Sequence, residues 1–116
     1  MQPDRPPRIL LVEDDDAQAR VFECALEAAE IASDLRHARD GDAAIDQTRA
    51  TLAERCGFDL IILDLHLPPA GGLAVLDVLK SDPVLCTIPV VVFSSSRHAA
   101  DRRGAYERHA NSYIVK

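Results

Sequence analysis

Four acids in succession, Glu13 to Asp16, follow the aliphatic run RILLV. A further acid, Asp64, closes DLIIL; Ser94 begins the triplet that closes IPVVVF; Lys116 ends SYIVK. Carboxylates, a hydroxyl and an ammonium are the parts that phosphoryl transfer uses, provided that the fold brings them to one place. Acids on strands about 4.8 Å apart would repel one another by several kcal/mol, as an order of magnitude, in a partly shielded site. A hard divalent cation offsets that repulsion, since Mg²⁺ takes a few carboxylates, keeps several waters and leaves coordination for phosphate oxygens. The lysine and the hydroxyl then hold the other phosphoryl oxygens. A carboxylate serves as nucleophile, as in enzymes that pass through an aspartyl-phosphate.

These residues converge only if they sit at the same ends of parallel strands, and the pattern between them predicts that arrangement. RILLV, the segment Asp59 to Leu63 and IPVVVF are wholly aliphatic at their centres, as in strands covered on both faces. DLRHAR reads as a weaker strand and NSYIVK as a short last one. Between them, Ala17, Val21, Cys24, Ala25 and Ala28 recur at helical spacing from Asp15 to about Ile31. Asp15 and Asp16 start that helix, where acids suit the dipole. DGDAAIDQTRATLAERCG predicts a second helix closing at Gly57. GLAVLDVLKSDP predicts a third, with Leu73, Leu76 and Leu79 on one face, and Arg97 to His109 a fourth, polar one. Strands alternating with helices imply right-handed crossovers and a parallel sheet with helices on both sides, and such sheets bind ligands outside the carboxyl ends of their strands. Pro68 and Pro69 shape the turn after Asp64.

The chain has 116 residues, enough for one domain. MQPDRPP, residues 1–7, reads as a disordered or extended tail, and the domain as residues 8–116. A net charge of −6 argues against a nucleic-acid footprint, which needs a basic stripe to neutralise phosphates. No apolar run reaches the length of a membrane span and the N-terminus lacks the apolar core of a signal peptide, so the expected location is the cytoplasm. Cys24, Cys56 and Cys86 are too widely spaced for a zinc or disulfide framework and read as plain thiols. His37, His98 and His109 read as surface or packing residues. Arg97, Arg102, Arg103 and Arg108 read as a solvated helix face, with a regulated partner surface as the alternative.

ILLVEDD, DLIILDLHLP with the following GG, IPVVVFSSS and SYIVK, in that order, closely resemble the four motif segments of the two-component response regulator receiver domain. The resemblance covers essentially the whole chain from Arg8. It implies a flavodoxin-like, doubly wound α/β fold whose five-stranded parallel sheet has the order 2-1-3-4-5. It places Asp64 as phosphoacceptor, Asp14 as direct ligand of Mg²⁺ (or Mn²⁺), Glu13 as the acid acting through metal-bound water, and His66 as donor of a backbone carbonyl to the metal. Ser94 matches the switch hydroxyl, Lys116 the phosphate-pairing lysine and Tyr113 the aromatic switch. The implied partner is a sensor histidine kinase, with no nucleic acid or membrane; the downstream target is not implied. YERHANSYIVK also resembles regulators that work with bacterial phytochrome kinases.

Two departures stand out. PPAGG lacks the acid that the family commonly has before the glycine of this loop, and His66 and Ser96 occupy positions that in the family influence water attack on the phosphoryl group. Receivers also continue past the lysine into a proline and a last helix, absent from this chain. The expectation is an exposed aliphatic sheet face and a homodimer or exchanged oligomer. Two other functions compete. An aspartate-nucleophile phosphatase of haloacid dehalogenase type would carry a second acid where His66 stands, and a phosphorylation-independent module of receiver ancestry would not need the intact acids, Ser94 and Lys116.

Overall fold

The structure, a computed structural model, describes residues 5–54, 57–67 and 71–116. Cys56 and the expected turn at Pro68 and Pro69 lie outside the described residues. Five strands, β1 (Arg8–Val12), β2 (Asp34–Ala38), β3 (Leu60–Leu63), β4 (Val90–Ser94) and β5 (Ser112–Val115), alternate with four helices, α1 (Asp16–Ala28), α2 (Gly41–Ala53), α3 (Gly72–Ser81) and α4 (Ala99–Glu107). All strand pairs are parallel and the sheet order is β2-β1-β3-β4-β5. The weakly patterned β2 pairs along its whole length with β1, from Arg8 opposite Asp34 to Val12 opposite Ala38.

Side chains alternate across a strand, and the aliphatic strands use both faces. Leu10, Val12, Ile61, Leu63, Val90 and Val92 face the main core with Ala44 of α2, Val75, Leu76 and Leu79 of α3, and Ala105 of α4. Ile9, Leu11 and Ile62 face Ala19 and Phe22 of α1. Three helices thus cover one face and, among the described residues, α1 alone covers the other. Over β3 to β5 that second face stays partly open: Ile114 of β5 is 50% exposed, and Val21 of the neighbouring α1 69%.

Asp15 caps α1, its carboxylate accepting from the backbone N–H groups of Ala17 (2.8 Å) and Gln18 (3.4 Å). Asp40 caps α2 by accepting from Ala43 N–H. Helix α1 ends earlier than its apolar period suggests, because Glu30 turns into the left-handed region at φ 57°. Ile31 N–H then bonds Leu26 C=O and Glu30 N–H bonds Glu27 C=O, the paired bonds of a Schellman cap. His109, at φ 68°, closes α4 in the same way, with Ala110 N–H on Ala105 C=O and His109 N–H on Tyr106 C=O. Both positions suit glycine, which has no Cβ to clash there. Glu30→Gly and His109→Gly are each expected to raise stability by about 0.5–1 kcal/mol, read as a higher urea midpoint with an unchanged slope.

Two polar clamps close the sheet end remote from the acids. Asn111 Oδ1 accepts from Val90 N–H (2.9 Å) and from Lys80 Nζ (3.0 Å), and Lys80 also bonds Ile88 C=O. Arg5 meets Asp59 Oδ2 at 3.3 Å and Pro7 C=O accepts from Asp34 N–H, so residues 5–7 lie against the strands.

Candidate functional site

The carboxyl ends of β1, β3, β4 and β5 point to one rim, where β1 delivers Glu13 and Asp14, β3 Asp64, β4 Ser94 and β5 Lys116. One carboxylate oxygen from each of Glu13, Asp14 and Asp64 lies within 4.8 Å of the others. Backbone bonds set this spacing: Glu13 N–H bonds Ala38 C=O and Asp64 N–H bonds Val12 C=O, so each acid leaves its strand still held by a neighbouring strand. Glu13 and Asp64 are buried and Asp14 is exposed at the mouth. Lys116 Nζ sits 3.0 Å from Glu13 Oε1 and 3.4 Å from Asp64 Oδ2. His66 N–H donates to Asp64 Oδ1 at 3.1 Å while its side chain stays exposed.

The charges are unequal to their task as they stand. Burial drives the Glu13 carboxyl up to about 7, helped by the adjacent Asp64 and opposed by Lys116. Burial also works against ionisation of Asp64, but its bonds to Glu13, His66 N–H and Lys116 outweigh burial and hold it below the usual carboxylate range. Burial likewise disfavours the Lys116 charge, yet Glu13 and Asp64 raise its pKa. The two carboxyls therefore resist ionising together, Glu13 giving up its proton last. Glu13 Oε2 is buried without a hydrogen-bond partner. A buried carboxylate oxygen left unpaired is costly, and an oxygen-seeking divalent cation among these three acids would satisfy it. The donor set, oxygen only, is that of a hard cation.

Ser94 is fully buried and its Oγ accepts from Ser96 N–H at 3.2 Å. Ser96 turns its hydroxyl to Asp101 of α4 and also accepts from His98 N–H. Tyr113 is buried, its hydroxyl donating to Ser96 C=O at 2.9 Å. Arg102 lies over the Tyr113 ring, 5.5 Å from its centroid, and Arg108 pairs with Asp77 of α3. Ser96 is thus the node joining Ser94, Tyr113 and the start of α4. Sequence reasoning missed this role, and also missed Asp101, Gln18 (which accepts from Lys116) and His37, whose Nε2 bonds the Glu13 backbone carbonyl at 2.7 Å. For Ser96 and Asp101, a polar residue in the first turn of a helix after a serine loop was the available signal. Gln18 and His37 carry none, because both act across long sequence separations.

Comparison with known proteins agrees with this arrangement. The sequence profile described as the response regulator receiver domain matches residues 9–116. Response regulator Rcp1 of Synechocystis is 40% identical over 114 residues, spanning 96% of this chain and 78% of that protein. Its Mn²⁺-bound structure superposes with a TM-score of 0.82 at 38% identity, over 96% of this chain and 81% of that one. The phosphorylated cyanobacterial phytochrome response regulator RcpA gives 0.86 at 40%, over 96% and 81%. The bacteriophytochrome response regulator AtBRR gives 0.83 at 35%, over 97% and 83%. None of this favours the phosphatase or the phosphorylation-independent reading. With the sheet order, the acid cluster and the profile in agreement, the chain belongs to the response regulator receiver domains, phosphoacceptor modules of two-component signalling.

Proposed function

We propose that Asp64 takes the phosphoryl group from the phosphohistidine of a sensor kinase and that α4 carries the change to a partner. The observation that supports this most directly is the Lys116 ammonium on Asp64 Oδ2 beside three convergent carboxylates, one with a buried unpaired oxygen. An Asp64 oxygen attacks phosphorus as the nitrogen–phosphorus bond breaks, and the histidine, already protonated on its other ring nitrogen, leaves as neutral imidazole with the bond's electron pair. Lys116 neutralises charge on the transferred group. Glu13, Asp14, Asp64 and the His66 backbone carbonyl would hold Mg²⁺ or Mn²⁺, which when bound screens the acids from one another and withdraws charge from phosphoryl oxygens. Ser94 Oγ turns towards the phosphoryl group and gives up Ser96 N–H; the release reaches Tyr113 and Asp101 through Ser96.

The chain promotes its own phosphorylation and dephosphorylation and turns over no metabolite. Its position is cytoplasmic; no helix among the described residues is long and apolar enough to cross a membrane. The names of RcpA and AtBRR support a phytochrome kinase as the partner. The open sheet face with Val21 and Ile114 supports self-association, expected as a concentration-dependent rise in mass by light scattering.

Incubation with acetyl phosphate and Mg²⁺ is expected to add about 80 Da once per chain, mapped to Asp64 and absent in EDTA. An unmodified chain would refute the reading. Because Glu13 holds a proton up to about pH 7, Mg²⁺ must displace it below that pH. Apparent Mg²⁺ affinity is then expected to rise by up to about tenfold per pH unit below pH 7 and to level off above it. Calorimetric titration in buffers of different ionisation enthalpy checks the proton release.

A further inference from the structure

An ammonium has three hydrogens to donate. Lys116 gives them to Glu13 Oε1 at 3.0 Å, Gln18 Oε1 at 3.3 Å and Asp64 Oδ2 at 3.4 Å. Two of these acceptors are wanted elsewhere during the reaction: a divalent cation draws on Glu13 and Asp64, and phosphorylation turns Asp64 from a carboxylate into a weaker, uncharged acyl acceptor. Gln18 alone is neutral and belongs to neither event. Its placement is also firm. Gln18 lies in the first turn of α1, where the Asp15 carboxylate accepts from its backbone N–H. A glutamine three residues after such a cap ordinarily folds back onto the cap's own N–H. Here its carboxamide oxygen reaches instead to a residue 98 positions away in sequence. Gln18 and Phe93 flank Lys116 in a groove of about 250 Å³ that leads along the open sheet face to Asp64, with the Phe93 ring centroid 5.7 Å from Nζ.

We propose that Gln18 is a positioning residue for phosphoryl transfer, its side-chain carbonyl keeping Lys116 aimed at Asp64 while metal and phosphoryl group engage the other two acceptors of the lysine. The inference rests on Asp64 being the phosphoacceptor. It applies to the ammonium alone, so it separates phosphorylation rate from metal binding and from folding.

The test compares the full chain with Gln18→Leu, Lys116→Ala and the double variant. Each is phosphorylated with acetyl phosphate in saturating Mg²⁺ and followed by intact mass, alongside Mg²⁺ affinity by calorimetry and the melting temperature. Gln18→Leu is expected to slow adduct formation about three- to tenfold, the effect of one lost hydrogen bond at a partly exposed site. Mg²⁺ affinity should stay within about twofold and the melting temperature should not fall, because Gln18 is exposed. The double variant should be no slower than Lys116→Ala, since Gln18 acts only through the lysine. An unchanged rate in Gln18→Leu would overturn the proposal. So would a joint fall in rate, Mg²⁺ affinity and melting temperature, which marks a structural role, or a double variant slower than Lys116→Ala by the full Gln18→Leu factor. A wild-type chain that takes no phosphoryl group strikes at Asp64 itself, whereas a reactive wild type with an equally reactive Gln18→Leu strikes at Gln18 only.

Discussion

Asp64→Asn is expected to abolish the phosphoryl adduct and, in metal-free protein at neutral pH, to raise the melting temperature by about 3–6 °C. The loss of reaction follows from the loss of the nucleophile. The gain in stability follows from the same charges. The Glu13 and Asp64 side chains are 4% and 9% exposed, and one lysine answers for both. Asparagine keeps the shape and the oxygen that accepts from His66 N–H, but removes the buried negative charge that opposes ionisation of Glu13. The Lys116 bond to Asp64 weakens in exchange. A net gain of about 1 kcal/mol corresponds to the stated shift for a chain of this size. Saturating Mg²⁺ should reverse the order, because only the wild type has the full acid set and ligand binding stabilises the folded state. Calorimetric melts in EDTA and in Mg²⁺ read both halves of the expectation.

The pH dependence of the same pair of proteins sharpens it. Glu13 titrates near 7 in the folded chain against 4.5 when free of its surroundings. A raised carboxyl contributes stability in full below the lower value, and that contribution is lost as pH rises to the higher one. Asp64, shifted down, contributes above its ordinary 3.8, and Lys116, shifted up, contributes below its ordinary 10.5. Of the three, Glu13 alone changes between pH 4.5 and 7. Metal-free wild type is therefore expected to lose stability across that window, whereas Asp64→Asn, with the repelling carboxylate gone, should stay flatter.

The sequence carried the fold because the fold is written in local patterns. Three aliphatic runs that each end on a polar residue can only be strands with a common direction, and that direction brings Glu13, Asp14, Asp64 and Lys116 together. The family resemblance supplied the strand order, which periodicity does not contain. What escaped was set by single backbone angles or by contacts between distant segments. The end of α1 depends on Glu30 entering the left-handed region, a position where glycine would have been visible and glutamate was not. The bond of the Ser96 hydroxyl to Asp101 is fixed by where α4 begins, which the motif at Ser94–Ser96 does not contain. Nothing in the local pattern singles out Gln18. Its meeting with Lys116 needs β1 and β5 to deliver their ends to one rim across the two strands β3 and β4 that separate them, which no local pattern records.

Gly72→Ala is expected to cost about 3–5 kcal/mol and to reduce phosphorylation by more than about a hundredfold. A Cβ on Gly72 would clash with the Asp64 carbonyl oxygen and lie 2.7 Å from Leu65 Cα and 3.0 Å from the Asp64 carbonyl carbon. All three are backbone atoms, so no rotamer change relieves the clash. The first turn of α3 would have to lift from the end of β3, breaking the Gly72 N–H bond to Leu65 C=O and shifting the peptide that carries the reactive carboxylate. Gly71 offers the contrast. It occupies φ 89°, which an L-residue adopts only with strain of about 1–2 kcal/mol, but the space where a Cβ would go is open, with Leu65 C=O 3.8 Å away. Gly71→Ala should then lower the urea midpoint clearly less than Gly72→Ala and leave most of the phosphorylation rate. Equal loss in the two variants would mean that loop conformation, rather than the close approach of α3 to the Asp64 peptide, holds the site in place.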